Sequence, residues 1–162
     1  MGLHVIPEQE VAFRQITSVI EASQQIVICA HTSPDGDAIG SGLALGMIIE
    51  AKWPHKQVTN LLADDAPVPR IYGFLPGSSK MIPASRHAGS PDLFISVDLS
   101  VDARLNKGLP VLERSRRHVI IDHHPCETHT GEAFVIRPQA AAVGVIVTEY
   151  ALHLGVRLTR PI

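Results

Sequence analysis

The side chains in this sequence that could carry chemistry are histidines and aspartates in three short clusters. The clusters are His31 with Asp35 and Asp37 in HTSPDGD, Asp98 alone in ISVDLS, and the triplet Asp122-His123-His124. Carboxylates crowded together repel one another and take up protons unless a cation compensates them. Imidazole with carboxylate is the ligand set expected for Mn²⁺, Zn²⁺ or Fe²⁺, whereas an all-oxygen set suits Mg²⁺ or Ca²⁺. The clusters therefore predict a transition-metal site.

The candidate ligands are too many for one ion. They are His31, Asp35, Asp37, Asp98 and His123. Such a set suits two ions that share a bridging carboxylate at the roughly 3.5–4 Å separation used for phosphoryl displacement. A water between the ions would become a hydroxide nucleophile, and the ions would neutralise charge on the phosphate oxygens. His124 follows His123 on an extended chain, so we expect it to point the other way and to orient a ligand or donate a hydrogen bond.

Alternating strands and helices explain how the clusters could meet. Apolar runs rich in β-branched residues predict buried strands, and apolar residues at helical spacing predict helices. The predicted strands are 25–31, 58–64, 92–100 and 118–124, and the predicted helices are 8–23, 38–51 and 140–155. This order predicts an α/β fold, a three-layer open and mostly parallel sheet with helices on both faces. Ligands bind at the carboxyl ends of the strands in such sheets, where three predicted strands end in the clusters.

Glycines within the second predicted helix need an explanation, because glycine lowers helix propensity. For Gly40, Gly42 and Gly46 we expect close packing or a close ligand. A dinucleotide-binding fingerprint does not fit, since Asp35 and Asp37 occupy the turn where amides must bind pyrophosphate. An EF-hand does not fit either, because an apolar helix follows the acidic residues. The triplet GSG also lacks the GxSxG pattern of a serine nucleophile elbow.

Composition limits the remaining choices. The chain has 162 residues, of which 45% are hydrophobic and 19% charged, as in a single soluble globular domain. A net charge of −2 and 4% aromatic residues argue against a long nucleic acid as partner. No apolar run is long enough for a membrane span, and MGLHVIPEQE lacks the features of a secretory signal, so we expect a cytoplasmic protein. Cys29 and Cys126 lack CxxC spacing and are predicted to be free thiols.

Taken together, the three clusters resemble the first three motifs of the DHH phosphoesterases. The segments HTSPDGDAIGS at 31–41, SVDLS around Asp98 and IDHHP at 121–125 come in the order of that family. The resemblance extends to PVPRIYGFLPGSSKM and PQAAAVGVIVTEY, covers roughly residues 24–155, and is strongest for bifunctional oligoribonuclease/pAp phosphatases. The family also includes RecJ-type nucleases, family II pyrophosphatases, exopolyphosphatases and cyclic-dinucleotide phosphodiesterases.

The resemblance implies a ligand set for each of two manganese ions. His31, Asp35 and Asp98 would hold one ion. Asp37, Asp98 and His123 would hold the other, so that Asp98 bridges the two. Mg²⁺, Co²⁺ or Fe²⁺ are possible substitutes for Mn²⁺.

The resemblance also implies roles for the residues around the ions. Asp122 would support the ligands from behind, and His124 would contact the scissile phosphate. Ser41 is a second candidate substrate contact, and Asp98 and His124 are the candidate catalytic residues.

The implied activity is Mn²⁺-dependent hydrolysis of a small phosphorylated substrate, either very short oligonucleotides or 3′-phosphoadenosine 5′-phosphate (pAp). Within the same class, a cyclic-dinucleotide phosphodiesterase and a pyrophosphatase or exopolyphosphatase stay open. From another class, a catalytically silent module that binds metal or nucleotide stays open, and a homodimer is possible.

The resemblance also carries an expectation about domain organisation. Members of the family have a fourth motif, a metal-binding aspartate well after the DHH triplet, and a C-terminal substrate-binding (DHHA1-type) domain. Residues 1–162 match neither. We therefore expect an N-terminal DHH domain that is incomplete before the fourth motif and poorly active by itself.

Overall fold

Six strands, all parallel, form one open sheet. In the computed structural model, which describes residues 7–162, the strands lie in the order β3-β2-β1-β4-β5-β6. The strands are β1 (Gln25–Cys29), β2 (Gln57–Leu62), β3 (Ile82–Pro83), β4 (Leu93–Val97), β5 (Arg117–Asp122) and β6 (Ala133–Ile136). Residues 1–6, part of the segment searched for a secretory signal, lie outside the described residues.

Helices cover both faces of the sheet, which confirms the predicted three-layer α/β architecture. The α-helices are α1 (Pro7–Glu21), α2 (Gly36–Lys52), α3 (Leu109–Glu113) and α4 (Val143–His153). One face packs against α1, α2 and α4, through a core that includes Phe13, Leu45 and Ile146. The other face packs against α3 and a 3-10 segment at Asp102–Gly108, where Leu105 and Val111 are buried. No helix of the described residues is both long and apolar enough to span a bilayer.

Strand β4 shows why the sequence forms these layers. All five of its residues are buried, so its apolar run shows no polar alternation. Leu93, Ile95 and Val97 point to one core, and Phe94 points to the other. Full burial of one such side chain contributes roughly 1.5–3 kcal/mol, and this stabilisation compensates for the fixed backbone of the strand.

The glycines of α2 divide into two groups. A Cβ at Gly46 would lie 2.7 Å from Asn60 Nδ2, and one at Gly42 would contact Asn60 and Ile28. Close packing of α2 on β1 and β2 therefore explains these two glycines, as expected. A Cβ at Gly40 would meet nothing within 4 Å, so packing does not explain this third glycine.

Some elements of the fold were not predicted, and some predicted strands were longer than the observed ones. Strands β3 and β6 and helix α3 were not predicted, because each has five residues or fewer and no clear period. The predicted strand 118–124 ends at Asp122, and 92–100 ends at Val97. Both predicted strands included polar residues that in fact follow the strand. The described Cys29 and Cys126 are free, as predicted.

Candidate metal centre

The three clusters meet where the strand order of the sheet reverses. From β1 the chain moves outward to β2 and β3, and then it returns to β4 on the other side of β1. Loops leave such neighbouring strands in opposite directions and open a crevice at their carboxyl ends. His31 follows β1 by two residues, and Asp98 directly follows β4. The reversal therefore places the first two clusters on the two sides of one crevice.

Asp98 lies at the centre of the crevice and faces both groups of histidines. Its Oδ2 is 3.5 Å from His31 Nε2, and its Oδ1 is 3.5 Å from His123 Nε2. The side chain is 2% exposed, and no described residue donates a hydrogen bond to the buried Oδ1. A buried carboxylate oxygen without a donor is costly, and a cation at this position would remove that cost.

The backbone at Asp98 is in the left-handed region, with φ at 61°. This conformation costs an L-residue roughly 1–2 kcal/mol. Asp98 N donates to Ile121 O at 2.9 Å, which continues the β4–β5 ladder by one residue. This hydrogen bond to the sheet therefore keeps Asp98 in its strained conformation. The positive φ in turn directs the carboxylate into the crevice.

Backbone carbonyls orient both metal-facing imidazoles. His31 Nδ1 lies 2.8 Å from Thr32 O, and His123 Nδ1 lies 3.1 Å from Ala140 O. A carbonyl accepts only, so each Nδ1 carries the proton and each Nε2 presents its lone pair toward Asp98. Metal-binding histidines are fixed in this way by their second ring nitrogen. The Asp98 carboxylate, 3.5 Å away, raises the pKa of His31, so protons and a cation compete for this Nε2.

The side chain of Asp35 caps a helix and also lies in one of the candidate ligand groups. Its Oδ1 accepts hydrogen bonds from the backbone amides of Asp37 and Ala38, both at 3.0 Å, and so caps the N-terminus of α2. Its side chain also belongs to a group in which His31, Asp35 and Asp98 present ligand atoms within 4.8 Å of one another. This group matches the ligand set expected for the first ion.

Asp37 joins the start of α2 to the start of α4. Its Oδ2 accepts from Val143 N at 2.8 Å, and its Oδ1 accepts from Gly144 N at 3.0 Å and Ser41 Oγ at 3.1 Å. The positive end of the α4 dipole favours a carboxylate here. Oδ2 also lies 3.8 Å from His123 Nε2, so Asp37 borders the second predicted ligand group. Ser41 is buried against Asp37, and its role toward a substrate stays a prediction.

The two histidines of the DHH triplet lie on the same side, so the prediction that they point in opposite directions was wrong. His124 Nδ1 is 3.6 Å from Asp98 Oδ1, and the two imidazole rings are 4.6 Å apart. The physical reason is that β5 ends at Asp122, whose Oδ1 accepts from the backbone amides of His123 and His124 and turns the chain. Strand alternation no longer applies after that turn.

Asp122 also orients the imidazole of His124. Asp122 is fully buried, and its Oδ1 lies 2.8 Å from His124 Nδ1. His124 is 46% exposed, and its other ring nitrogen is left for a ligand. Asp98, His123 and His124 form the second close group of ligand atoms. The ring nitrogen nearest Asp98 is Nδ1, and because it is bonded to Asp122 it is not free to bind an ion at Asp98.

The donor set fits divalent ions. Ligands about 2.1 Å from one ion are roughly 3.0 Å apart in an octahedron and 3.4 Å apart in a tetrahedron. The 3.5 Å distances from Asp98 to His31 and His123 are close to these values and too long for ordinary hydrogen bonds. Asp98 offers one oxygen to each group, an arrangement that suits a bridging carboxylate.

Comparison with known protein families decides the classification. Residues 25–158 match the model of the N-terminal domain of the DHH family. The chain belongs to the DHH family. The match includes all three clusters and every residue of the crevice described above.

Two of the curated relatives are bacterial proteins of about twice this length. The chain is 27% identical over 152 residues to the probable bifunctional oligoribonuclease and PAP phosphatase NrnA of Streptococcus mutans, with 91% of this chain and 45% of that protein covered. It is 31% identical over 156 residues to the bifunctional oligoribonuclease and PAP phosphatase NrnA of Thermus thermophilus, with 92% and 43% covered. The chain thus spans about half the length of these curated relatives.

A solved structure has the same fold as this chain. The exopolyphosphatase-related protein from Bacteroides fragilis superimposes with a TM-score of 0.76 over 90% of this chain and 44% of that protein. The identity is 22%, so this likeness concerns the fold alone.

Sequence reasoning missed one acidic residue at the edge of the DHH crevice. Asp64 lies two residues after β2, the neighbour of β1 in the sheet. Its Oδ1 accepts from Thr32 Oγ1 at 2.6 Å, and its Oδ2 accepts from Ser33 N at 2.6 Å. The signal was present, because LLADD places an aspartate at the end of an apolar strand, as in the other clusters. Asp64 was instead included in the predicted strand 58–64.

Proposed function

We propose that this chain is the metal-binding part of a Mn²⁺-dependent phosphoesterase that hydrolyses pAp and very short oligonucleotides. The observation that supports two ions most directly is Asp98, whose two carboxylate oxygens face different histidines in a buried crevice. The names of the Streptococcus and Thermus relatives support the substrate class, since both are described as oligoribonucleases and PAP phosphatases.

Within this proposal, His31, Asp35 and Asp98 hold one ion, and Asp37, Asp98 and His123 hold the other. Two bound ions would activate a water and neutralise charge on the phosphate oxygens. The protein contributes a rigid frame, because each Nε2 is fixed by a hydrogen bond to a backbone carbonyl at Nδ1. The choice of Mn²⁺ rests on the mixed imidazole and carboxylate donors.

His124 contacts the substrate phosphate in this proposal. The buried Asp122 carboxylate accepts from His124 Nδ1 and fixes the plane of the ring. Nε2, on the exposed side of the ring, donates a hydrogen bond to a phosphate or leaving oxygen when the ring is an imidazolium, in which both nitrogens carry protons. The cytoplasmic location and the role of Ser41 as a substrate contact remain predictions.

Charge supports a small substrate. The chain has a net charge of −2, and its densest basic segment is the four-residue stretch RSRR at 114–117. Long nucleic acids bind largely through phosphate contacts to basic side chains. A substrate with few phosphates can instead bind mainly through the ions.

The test is hydrolysis of a panel that contains pAp, a dinucleotide, a cyclic dinucleotide and pyrophosphate. It is run with Mn²⁺ and with a chelator, on the protein at its natural length. Chelator-sensitive release of phosphate from pAp and of mononucleotide from the dinucleotide is expected. Turnover of only the cyclic dinucleotide or only pyrophosphate would contradict the proposed substrate. Bound Mn²⁺ without any turnover would support a silent binding module.

The Asp98→Asn variant tests the bridging residue. It keeps the shape of the side chain, and asparagine tolerates a positive φ, so a normal circular dichroism spectrum is expected together with loss of turnover. Asp65→Asn is a matched control, because it removes one exposed carboxylate outside the ligand groups. Turnover retained by a correctly folded Asp98 variant would refute the bridging role.

A further inference from the structure

Asp64 connects three segments at the edge of the crevice. Its Oδ1 accepts from Thr32 Oγ1 at 2.6 Å and from Asn106 Nδ2 at 2.7 Å, and its Oδ2 accepts from Ser33 N at 2.6 Å. Thr32 and Ser33 belong to the loop after β1, and Asn106 belongs to the 3-10 segment after β4. Asp64 itself follows β2, so one carboxylate joins the segments that follow three neighbouring strands.

Two of these partners have unfavourable backbone conformations. Ser33 has φ at 51° and Asn106 has φ at 46°, and the third positive-φ residue other than glycine in the described chain is Asp98. Each such residue costs roughly 1–2 kcal/mol and persists only where its surroundings hold it. Charge-assisted hydrogen bonds to a carboxylate are stronger than neutral ones. Asp64 therefore holds two of the three strained residues.

The connection leads to a metal-facing imidazole through one peptide group. Thr32 is fixed at its side chain by Asp64 and at its amide by Arg104 O, 2.9 Å away. Its carbonyl accepts from His31 Nδ1 at 2.8 Å. That bond sets both the tautomer and the orientation of His31, whose Nε2 faces Asp98.

We propose that Asp64 is a positioning residue for the metal site, which holds the Thr32 carbonyl in place and thereby keeps His31 Nε2 directed at the first ion. Asp64 does not belong to either close group of ligand atoms, so it acts through Thr32 and not as a ligand. This inference rests on the proposed function in so far as that function requires an ion at His31.

The charge of Asp64 is consistent with this role. Burial raises the pKa of its carboxyl, but hydrogen bonds from Thr32, Ser33 and Asn106 outweigh burial, and the pKa is lowered. The carboxylate is therefore ionised at neutral pH, when its three donors are all satisfied.

The test compares Asp64→Asn with Asp65→Asn. The two changes remove the same charge from adjacent positions, but Asp65 accepts from Ser85 and not from the loop after β1. Mn²⁺ binding is measured by the loss of the free-ion electron paramagnetic resonance signal, which needs no substrate. Loss of an outer partner of a metal ligand weakens binding roughly 10–100-fold, and we expect such a change for Asp64→Asn alone.

A second measurement needs no metal at all. Long-range ¹H–¹⁵N NMR of the imidazoles reports which ring nitrogen carries the proton. In the metal-free protein we expect His31 to be protonated at Nδ1, and in Asp64→Asn we expect a mixture of tautomers. The activity of Asp64→Asn should recover at high Mn²⁺ concentration, because positioning affects occupancy more than the chemical step.

The outcomes separate this inference from the proposed function. Weaker Mn²⁺ binding by Asp64→Asn supports the inference even if no member of the substrate panel is hydrolysed. Unchanged Mn²⁺ binding and an unchanged His31 tautomer would overturn it, even if hydrolysis is confirmed. Equal weakening by Asp65→Asn would show an effect of charge alone, and a wild-type protein that binds no Mn²⁺ would also overturn the inference.

Discussion

His118 on β5 should make the stability of this protein depend on pH between about pH 4 and 6.5. The side chain is 7% exposed and lies in a chain of hydrogen bonds. Thr130 Oγ1 donates to Asp102 Oδ2 at 3.1 Å, so it accepts from His118 Nδ1 at 2.9 Å. His118 Nε2 then accepts from Ser96 Oγ at 2.8 Å. Every donor has an acceptor when His118 is neutral.

The magnitude follows from the pKa. Burial lowers the pKa of His118 from 6.5 to about 4, and the nearby Asp102 offsets only part of this effect. Below pH 6.5 the unfolded chain therefore binds a proton at His118 that the native state does not bind. The free energy of unfolding consequently falls as the pH falls. The difference between the two pKa values corresponds to roughly 3 kcal/mol of stability, which is present above about pH 6.5 and is lost progressively as the pH falls from 6.5 to 4.

The assay is urea unfolding, followed by circular dichroism in the presence of a chelator, for the wild type and for His118→Gln. The glutamine cannot titrate, and it keeps at most one of the two hydrogen bonds, so the variant should be about 1 kcal/mol less stable at pH 7. Only the wild type loses stability through protonation of residue 118. Plots of the free energy of unfolding against pH for the two proteins should therefore cross between about pH 5 and 6. At pH 4.5 the variant should be more stable by roughly 1–2 kcal/mol. A constant difference between pH 7 and 4.5 would refute the reasoning, since all other titrating groups are common to both proteins.

Three further predictions concern stability. Arg137→Met should destabilise the fold by roughly 3 kcal/mol, because it removes the guanidinium 2.8 Å from the buried Glu149 and leaves this carboxylate only the neutral donor Gln9. Adding Glu149→Leu should recover most of this loss in a urea titration, and a double variant as unstable as the single one would contradict the ion-pair explanation. Gly46→Ala should destabilise by about 1 kcal/mol, because a contact 2.7 Å from Asn60 outweighs the gain in helix propensity, whereas Gly40→Ala has open space and should stabilise by up to about 1 kcal/mol. Equal changes in the free energy of unfolding for the two variants would show that packing against Asn60 does not determine the effect. Mn²⁺ at about 100 times its dissociation constant should raise the free energy of unfolding by roughly 2.7 kcal/mol for each bound ion, and the gain should vanish with chelator or in Asp98→Asn.

The sequence by itself determined the class of fold and the location of the candidate site. Apolar runs of five or six residues that are rich in β-branched side chains favour strands buried between two layers, so β1, β4 and β5 were predictable from composition and length. The polar residues that interrupt those runs must then lie at the carboxyl edge of a parallel sheet. Their identities, histidine and aspartate, also predicted the ligand chemistry.

Tertiary structure alone decided how those residues are oriented. That both imidazoles of the triplet face Asp98 depends on the end of β5 and on the turn held by the Asp122 side chain. Asp37 is held by the N-terminus of α4, more than 100 residues later, and Asp64 joins three loops. Local sequence patterns record burial and period, because these depend on near neighbours. Hydrogen bonds between distant segments depend on the packing of the whole sheet, and so the sequence could predict the members of the site but not the contacts that hold them.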